Sequence, residues 1–231
     1  MDGVQNANVM HEQEDRVTQN VWVAEDILHF FERQLELLHP RLWIREVNFS
    51  AHAERLTIET EIFSRLDRQV NASIIYENQL WEPLARNAIR GALTLCSNRG
   101  VNIISLRLIA MDEGSHQSIM QLATVVKQVN GLAIIEFEFS SPTATFNDIF
   151  TVLHGFQFIN GRMHLARIGL TRLSQIVNFF HDTVLSCTFT FAEDPHADRI
   201  DELRGLAEFG TFRGFIANIG NNGTIQLNRM G

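Results

Sequence analysis

After residue 80 the chain alternates between helical and extended periodicity. Each extended segment opens on one spacing: apolar, two residues, apolar, one residue, apolar. The triplets are Ile103, Leu106, Leu108; Leu132, Ile135, Phe137; Leu165, Ile168, Leu170; Val184, Cys187, Phe189; and Phe212, Phe215, Ala217. Strand centres recur roughly every 22 to 33 residues. A single helix-strand unit of this kind cannot bury its apolar stripe, so neighbouring units must stack and share a core. The alternate strand positions are polar: Arg107, Glu136, Glu138, Arg167, Thr188 and Thr190. A doubly wound sheet buries both faces and reads as continuous apolar runs. These strands read instead as one apolar and one wet face. The expectation is an α/β fold with a mainly parallel sheet and helices on one side; the rival is an open doubly wound sheet.

The spacing resembles a helix-strand leucine-rich repeat, whose period is about 20–29 residues. No Asn follows the apolar triplet at the usual ladder position, so the likeness is to a degenerate form of the repeat.

The segment before residue 80 is β-rich. "WIREVNF" points Ile44, Val47 and Phe49 inward, "RLTIETEIF" alternates Leu56, Ile58, Thr60 and Ile62, and "NASIIYE" reads as a third strand. Upstream, Ile27, Phe30, Phe31, Gln34, Leu35 and Leu38 fall at helical spacing, and Pro40 closes the run. Residues 1–20 lack apolar periodicity and read as a disordered tail. This gives a tail (1–20), a helix (21–40) and one repeat domain (41–231), with no Gly/Ser or Pro linker between domains.

Helices are expected after Pro83, where Leu84, Ala88, Ala92, Leu95 and Cys96 form the apolar side, and through Ile119, Leu122, Val126 and Val129. Three more have candidate caps at Thr145, Thr171 and Asp198. Ile104, Leu106 and Leu108 are expected on one strand face, as are Ile135, Phe137 and Phe139. "MHLARIGL" reads as a further strand, and "GNNG" as the tight turn of a C-terminal hairpin. The 17 phenylalanines, against 3 Trp and 1 Tyr, are the expected core filling.

A net charge of −8 argues against nucleic acid and against an anionic membrane surface, both of which reward Lys and Arg. No apolar run reaches the ~20 residues that span a bilayer. The opening residues are polar and carry no secretory leader, so the expected location is cytoplasmic or nuclear. Cys96 and Cys187 stand apart in apolar company and read as reduced, buried thiols.

Glu136 and Glu138 share one strand face about 6.6 Å apart at Cα. Paired carboxylates can hydrolyse glycosides, but that needs them to flank a bond across a cleft, and these point the same way. No Cys/His set has zinc spacing, "DPHAD" (194–198) is explained by a turn and a helix cap, and no nucleophile elbow or phosphate loop is present. The expectation is therefore a chain without metal or cofactor and without enzymatic activity. The two glutamates belong either to a solvated face with no specific role or to a partner-binding surface; the expected binding surface is the polar sheet face: Ser105, Arg107, Glu136, Glu138, Arg167, Thr188, Thr190 and Asn218.

Two segments carry a family resemblance. "IREVNFSAHAERLTIETEIFSRLDRQVNASIIYEN" is a pair of alternating strands, a variable stretch and a strand ending near Tyr76. "LWEPLARNAIRGALTLCSNRGVNIISLRLIA" is a helix followed by the first repeat strand. Together they resemble the FTH domain that follows the F-box in the large nematode F-box family, over about residues 40–231. The resemblance implies capture of a protein target, with a Skp-type linker of a ubiquitin ligase as second partner. Residues 1–40 offer one helix and no Leu-Pro pair, so the chain has no recognisable F-box. The alternatives are a dedicated scaffold or inhibitory partner of one protein, and an α/β hydrolytic enzyme.

Overall fold

The computed structural model describes residues 17–21, 23–52, 55–77, 83–154, 156–165, 180–191, 214–219 and 224–230. Within them the strands are β1 (Val17–Val21), β2 (Trp43–His52), β3 (Arg55–Phe63), β4 (Gln69–Glu77), β5 (Asn102–Ala110), β6 (Ile134–Ser140), β7 (Asn160–Leu165), β8 (Ser186–Phe191), β9 (Phe215–Ile219) and β10 (Thr224–Arg229). The helices are α1 (Glu25–Leu37), α2 (Pro83–Asn98), α3 (His116–Lys127) and α4 (Phe146–Leu153).

One sheet holds all ten strands in the order β1-β4-β3-β2-β5-β6-β7-β8-β10-β9. Strands β2, β5, β6, β7 and β8 run parallel, and β10 and β9 close the far edge as an antiparallel hairpin. Helices α1 to α4 lie side by side, each touching the next, and α3 packs on β5 and β2. Their buried residues and the inward strand residues form one hydrophobic core. The expected one-sided, mainly parallel α/β repeat with a C-terminal hairpin is the observed architecture.

The apolar triplet has a geometric cause. Opposite β3, β2 holds one extra residue between Ile44 and Glu46. That irregularity is a β-bulge at Arg45, and it turns Val47 back to the core after two residues rather than one. The parallel neighbours stay in step with it: Ile44 pairs Ile103, which pairs Ile134, while Val47 pairs Leu106, which pairs Phe137. Gly161 and Cys187 continue the second layer, and Phe49, Leu108, Phe139, Met163 and Phe189 form the third. The skipped positions Arg45, Ile104, Ile135, Ile159 and Leu185 therefore stack above one another, half-buried or exposed.

Several expectations are corrected by this register. Ile104 and Ile135 are half-buried, while Ile103 and Ile134 are buried. The second triplet is Ile134, Phe137, Phe139, two residues beyond its expected place. The third strand is β7, with Phe158, Gly161 and Met163 at the triplet positions, and residues 166–170 lie outside the described residues. On α2 the buried residues are Ala85, Ile89, Ala92, Leu93 and Cys96, and Leu84 is exposed, a rotation of about one residue. Val17 to Asn20, read as tail, belong to β1, because backbone pairing with β4 supplies what apolar periodicity does not. The helices expected after Thr171 and Asp198 fall almost wholly outside the described residues, as does the "GNNG" turn. Residues 180–182 of the first are described and are not helical.

Helix α4 starts where expected. Thr145 Oγ1 accepts from the Asp148 amide at 3.4 Å, and Asp148 Oδ2 accepts from the Thr145 amide at 2.8 Å, a reciprocal capping box. Phenylalanines fill the core as expected: Phe137 lies 4.3 Å from Phe156 and 5.5 Å from Phe158, ring centre to ring centre. No helix among the described residues is long and apolar enough to cross a membrane.

Candidate functional site

The face of the sheet opposite the core carries a polar row across all ten strands. One register row runs Thr18, Ser73, Glu59, Asn48, Arg107, Glu138, Arg162, Thr188, Gln226, Asn218, one residue from each strand. The adjacent row includes Glu61, Glu46, Ser105, Glu136, Asn160, Ser186 and Asn228. Seven of the eight expected face residues take their places here. Ser105 and Glu136 sit in the second row; Arg107, Glu138, Thr188 and Asn218 sit in the first; and Thr190 is one row beyond, opposite His164 and Thr224. Arg167 lies outside the described residues, and Arg162 holds the basic position on that strand.

The two halves of the face differ. From Glu59 on β3 to Glu138 and His164 on β6 and β7, one set of polar groups satisfies itself. Asn48 Nδ2 donates to Glu59 Oε2 at 3.0 Å, and Ser50 Oγ donates to Asn48 Oδ1 at 3.1 Å. Arg107 Nε donates to Glu138 Oε2 at 3.0 Å and its NH1 lies 3.6 Å from Glu46 Oε1. His164 Nε2 stands 3.2 Å from Glu138 Oε1. The Glu138 side chain is 18% exposed. The hydrogen bond from His164 holds its carboxyl below the usual carboxylate range, the Arg107 guanidinium adds to this, and burial opposes both. Burial disfavours the charge on Arg107, but Glu138 and Glu46 outweigh it and raise its pKa. Glu138 is thus a firmly ionised structural carboxylate, unsuited to proton donation at neutral pH.

Between β6 and β10 several side chains are unengaged, although Ser186 Oγ donates to Asn160 Oδ1 at 2.8 Å. Glu136, Arg162, Thr188 and Gln226 make no side-chain hydrogen bond or ion pair among the described residues. With Ser105, Asn160 and Ser186 they line an open depression of about 330 Å³ whose floor includes Phe137 and Gly161. Gly161 faces the core beneath that floor. A Cβ there would stand 2.7 Å from Phe158 Cε2 and 2.9 Å from Cys187 Sγ, on the core side of the strand. The lining offers a free carboxylate, a free guanidinium, amides and hydroxyls to one incoming group.

A second polar cluster was not legible in the sequence. His116 Nδ1 is 2.8 Å from Ser141 Oγ, and His116 Nε2 is 3.4 Å from Asp148 Oδ2, at the carboxyl ends of β5 and β6. This is the residue set of a serine nucleophile triad, but the ring is turned so that Nδ1 rather than Nε2 meets the serine. Ser141 is only 3% exposed, and Asp148 Oδ2 is already shared with Thr145. The arrangement ties the β5–α3 and β6–α4 connections together.

Burial pushes the Cys96 thiol up to about 12 and raises Cys187 as well, which fits two inert core thiols. No group of three or more His, Cys, Asp or Glu among the described residues could hold a metal ion. Residues 194–198, read as a turn and helix cap, lie outside the described residues. The chain matches no known protein family, no curated protein and no solved structure.

Proposed function

We propose that this chain is a protein-interaction module whose binding surface is the outer sheet face, centred on the depression between β5 and β10. One observation carries the reading: Glu136, Arg162, Thr188 and Gln226 converge there without partners among the described residues, beside a network from Glu59 to His164 whose polar groups satisfy one another. Sheets built from stacked repeats typically serve as extended protein-binding surfaces. The mixed charges suit a polar partner surface, where complementary charge sets partner choice and association rate.

The FTH-like resemblance gives a finer version, in which the bound protein is the target of a ubiquitin-ligase adaptor. A dedicated scaffold or inhibitory partner would use the same face with a single protein. Affinity purification from the native cells, with the wild type beside Glu136→Lys/Arg162→Glu, tests the reading. Both positions lack partners, so the variant keeps its melting temperature. The expected result is a protein partner present with the wild type and lost from the variant. A Skp-type linker retained by both would favour the adaptor version, because the linker would bind elsewhere. Equal recovery of every partner by both chains would sink the proposal.

A further inference from the structure

The narrow end of the sheet where α1 stops, β2 starts and β3 turns into β4 is unlike the rest of the surface. Leu37, Leu42, Trp43, Phe63 and Leu66 are exposed there, between 38% and 73%. The backbone gathers them: His39 N donates to Phe63 O at 2.8 Å, Arg65 N to Leu37 O at 2.9 Å, and Leu42 N to His39 O at 2.9 Å. The His39 and Phe63 rings lie 5.6 Å apart. Leu42 holds φ at 57°, a left-handed conformation that a bulky side chain adopts only when its surroundings impose it. Clustered exposed apolar side chains that include Trp and Phe mark an interaction surface more often than scattered single ones do.

The patch is rimmed mainly by cations; the one exposed carboxylate of its turn, Asp67, stands 3.7 Å from His39 Nε2. Arg41, Arg65 and Arg68 are exposed around it, and none has a carboxylate partner among the described residues. Arg65 Nε donates to Leu38 O, which fixes the stem of the side chain at the rim. The local excess of positive charge runs against a net charge of −8 for the whole chain. All three are arginines, whose planar fork pairs with carboxylates in two-point geometry.

We infer that this end of the sheet is a second docking surface, built for an acidic amphipathic segment of another protein. Its apolar side chains would cover Trp43, Phe63 and Leu66 while its Asp and Glu meet the three arginines. The site lies at the ends of β2 and β3 and shares no residue with the lining of the depression.

The test pans a displayed library of random 16-residue peptides on the full chain, with Trp43→Ser/Phe63→Ser as the counter-target. Enriched peptides should combine Leu, Phe or Trp with Asp and Glu. Their affinity should fall about tenfold or more with Arg65→Glu/Arg68→Glu, and should weaken between about 50 and about 500 mM NaCl. It should not change with Glu136→Lys/Arg162→Glu, which separates this site from the sheet face. Melting temperatures near wild type would show that the exposed substitutions leave the fold intact. No enrichment, enrichment of neutral or basic peptides, or equal binding to the counter-target would overturn the inference. So would a dimer that Trp43→Ser/Phe63→Ser dissolves, or binding that appears only after removal of residues 1–16, since either gives the patch another occupant.

Discussion

Gly161→Ala should destabilise the protein, and the size of the effect follows from three distances. The added methyl would sit 2.7 Å from Phe158 Cε2, 2.9 Å from Cys187 Sγ and 3.2 Å from Phe158 Cζ. The first two are closer than carbon and sulfur can approach without displacement. Phe158 cannot simply retreat, because Phe137 and Phe156 hold its ring at centroid distances of 5.5 and 5.7 Å. Inserting a methyl into such a core costs about 1–3 kcal/mol. Gly161 does not have a positive φ, so the substitution carries no backbone strain and recovers about 0.4–1 kcal/mol by stiffening the unfolded chain. Mid-range values leave a net loss of about 1.3 kcal/mol, or a melting temperature lower by about 3–5 °C for a chain of this size. Circular dichroism melts and urea midpoints read this directly. In a Phe158→Leu background the same substitution should cost at least about 1 kcal/mol less, because the ring atoms it meets are gone. An unchanged or higher melting temperature for Gly161→Ala, or the same cost in both backgrounds, would refute the packing reasoning.

Three further outcomes are expected. Glu138→Gln should lower stability at pH 7 by about 1–2 kcal/mol, since a charged hydrogen-bond acceptor is lost. Because the folded state lowers the Glu138 pKa, its contribution is present above the unfolded value of about 4.3 and fades as pH falls through the folded value. Urea midpoints of wild type and variant should therefore draw together as pH falls below the unfolded value; a gap that stays constant would contradict the clamp. Thr145→Ala should cost about 1 kcal/mol through the lost cap of α4, read by urea titration. A fluorophosphonate probe should leave Ser141 unlabelled, since its hydroxyl is buried and faces the wrong ring nitrogen. Labelling that Ser141→Ala abolishes would revive a hydrolytic reading.

How much of this was legible in the sequence depended on whether a residue's place is set by local periodicity or by its neighbours in the sheet. Ile27, Phe30, Phe31, Leu35, Ile119, Leu122 and Val126 follow helical spacing, and all are buried as expected. In β3, uninterrupted alternation placed Leu56, Ile58, Thr60 and Ile62 correctly. A strict period of two failed at Ile104 and Ile135, because the stacked irregularity that begins at the Arg45 bulge gives each strand one extra residue there. The apolar spacing carried that signal, and Ile103, Leu106, Leu108 obeyed it.

Strand β7 was misplaced because a glycine stands at its middle core position. Gly161 reads as a break, but it is required by the Phe158 ring that fills its place. The polar face was legible as alternation, so Glu136, Glu138 and Thr188 were identified. The division between satisfied and free groups was not, because it depends on which strands lie side by side. His164 reaches Glu138, and Arg162 comes beside Glu138 without pairing to it, only through the β6–β7 register. Ser141, His116 and Asp148 come together only through the packing of two separate β–α connections.

The most direct test of the central claim is site-specific photo-crosslinking from the two sides of the molecule. Cys96 and Cys187 are buried and unreactive, so a single introduced cysteine can carry the photoprobe. Thr188→Cys places it on the sheet face, and Thr124→Cys places it on the exposed side of α3. Photolysis in an extract of the native cells should join one protein through position 188 and none through position 124. An adduct through position 124 with none through 188 would contradict the account, because the partner would then bind the helical side.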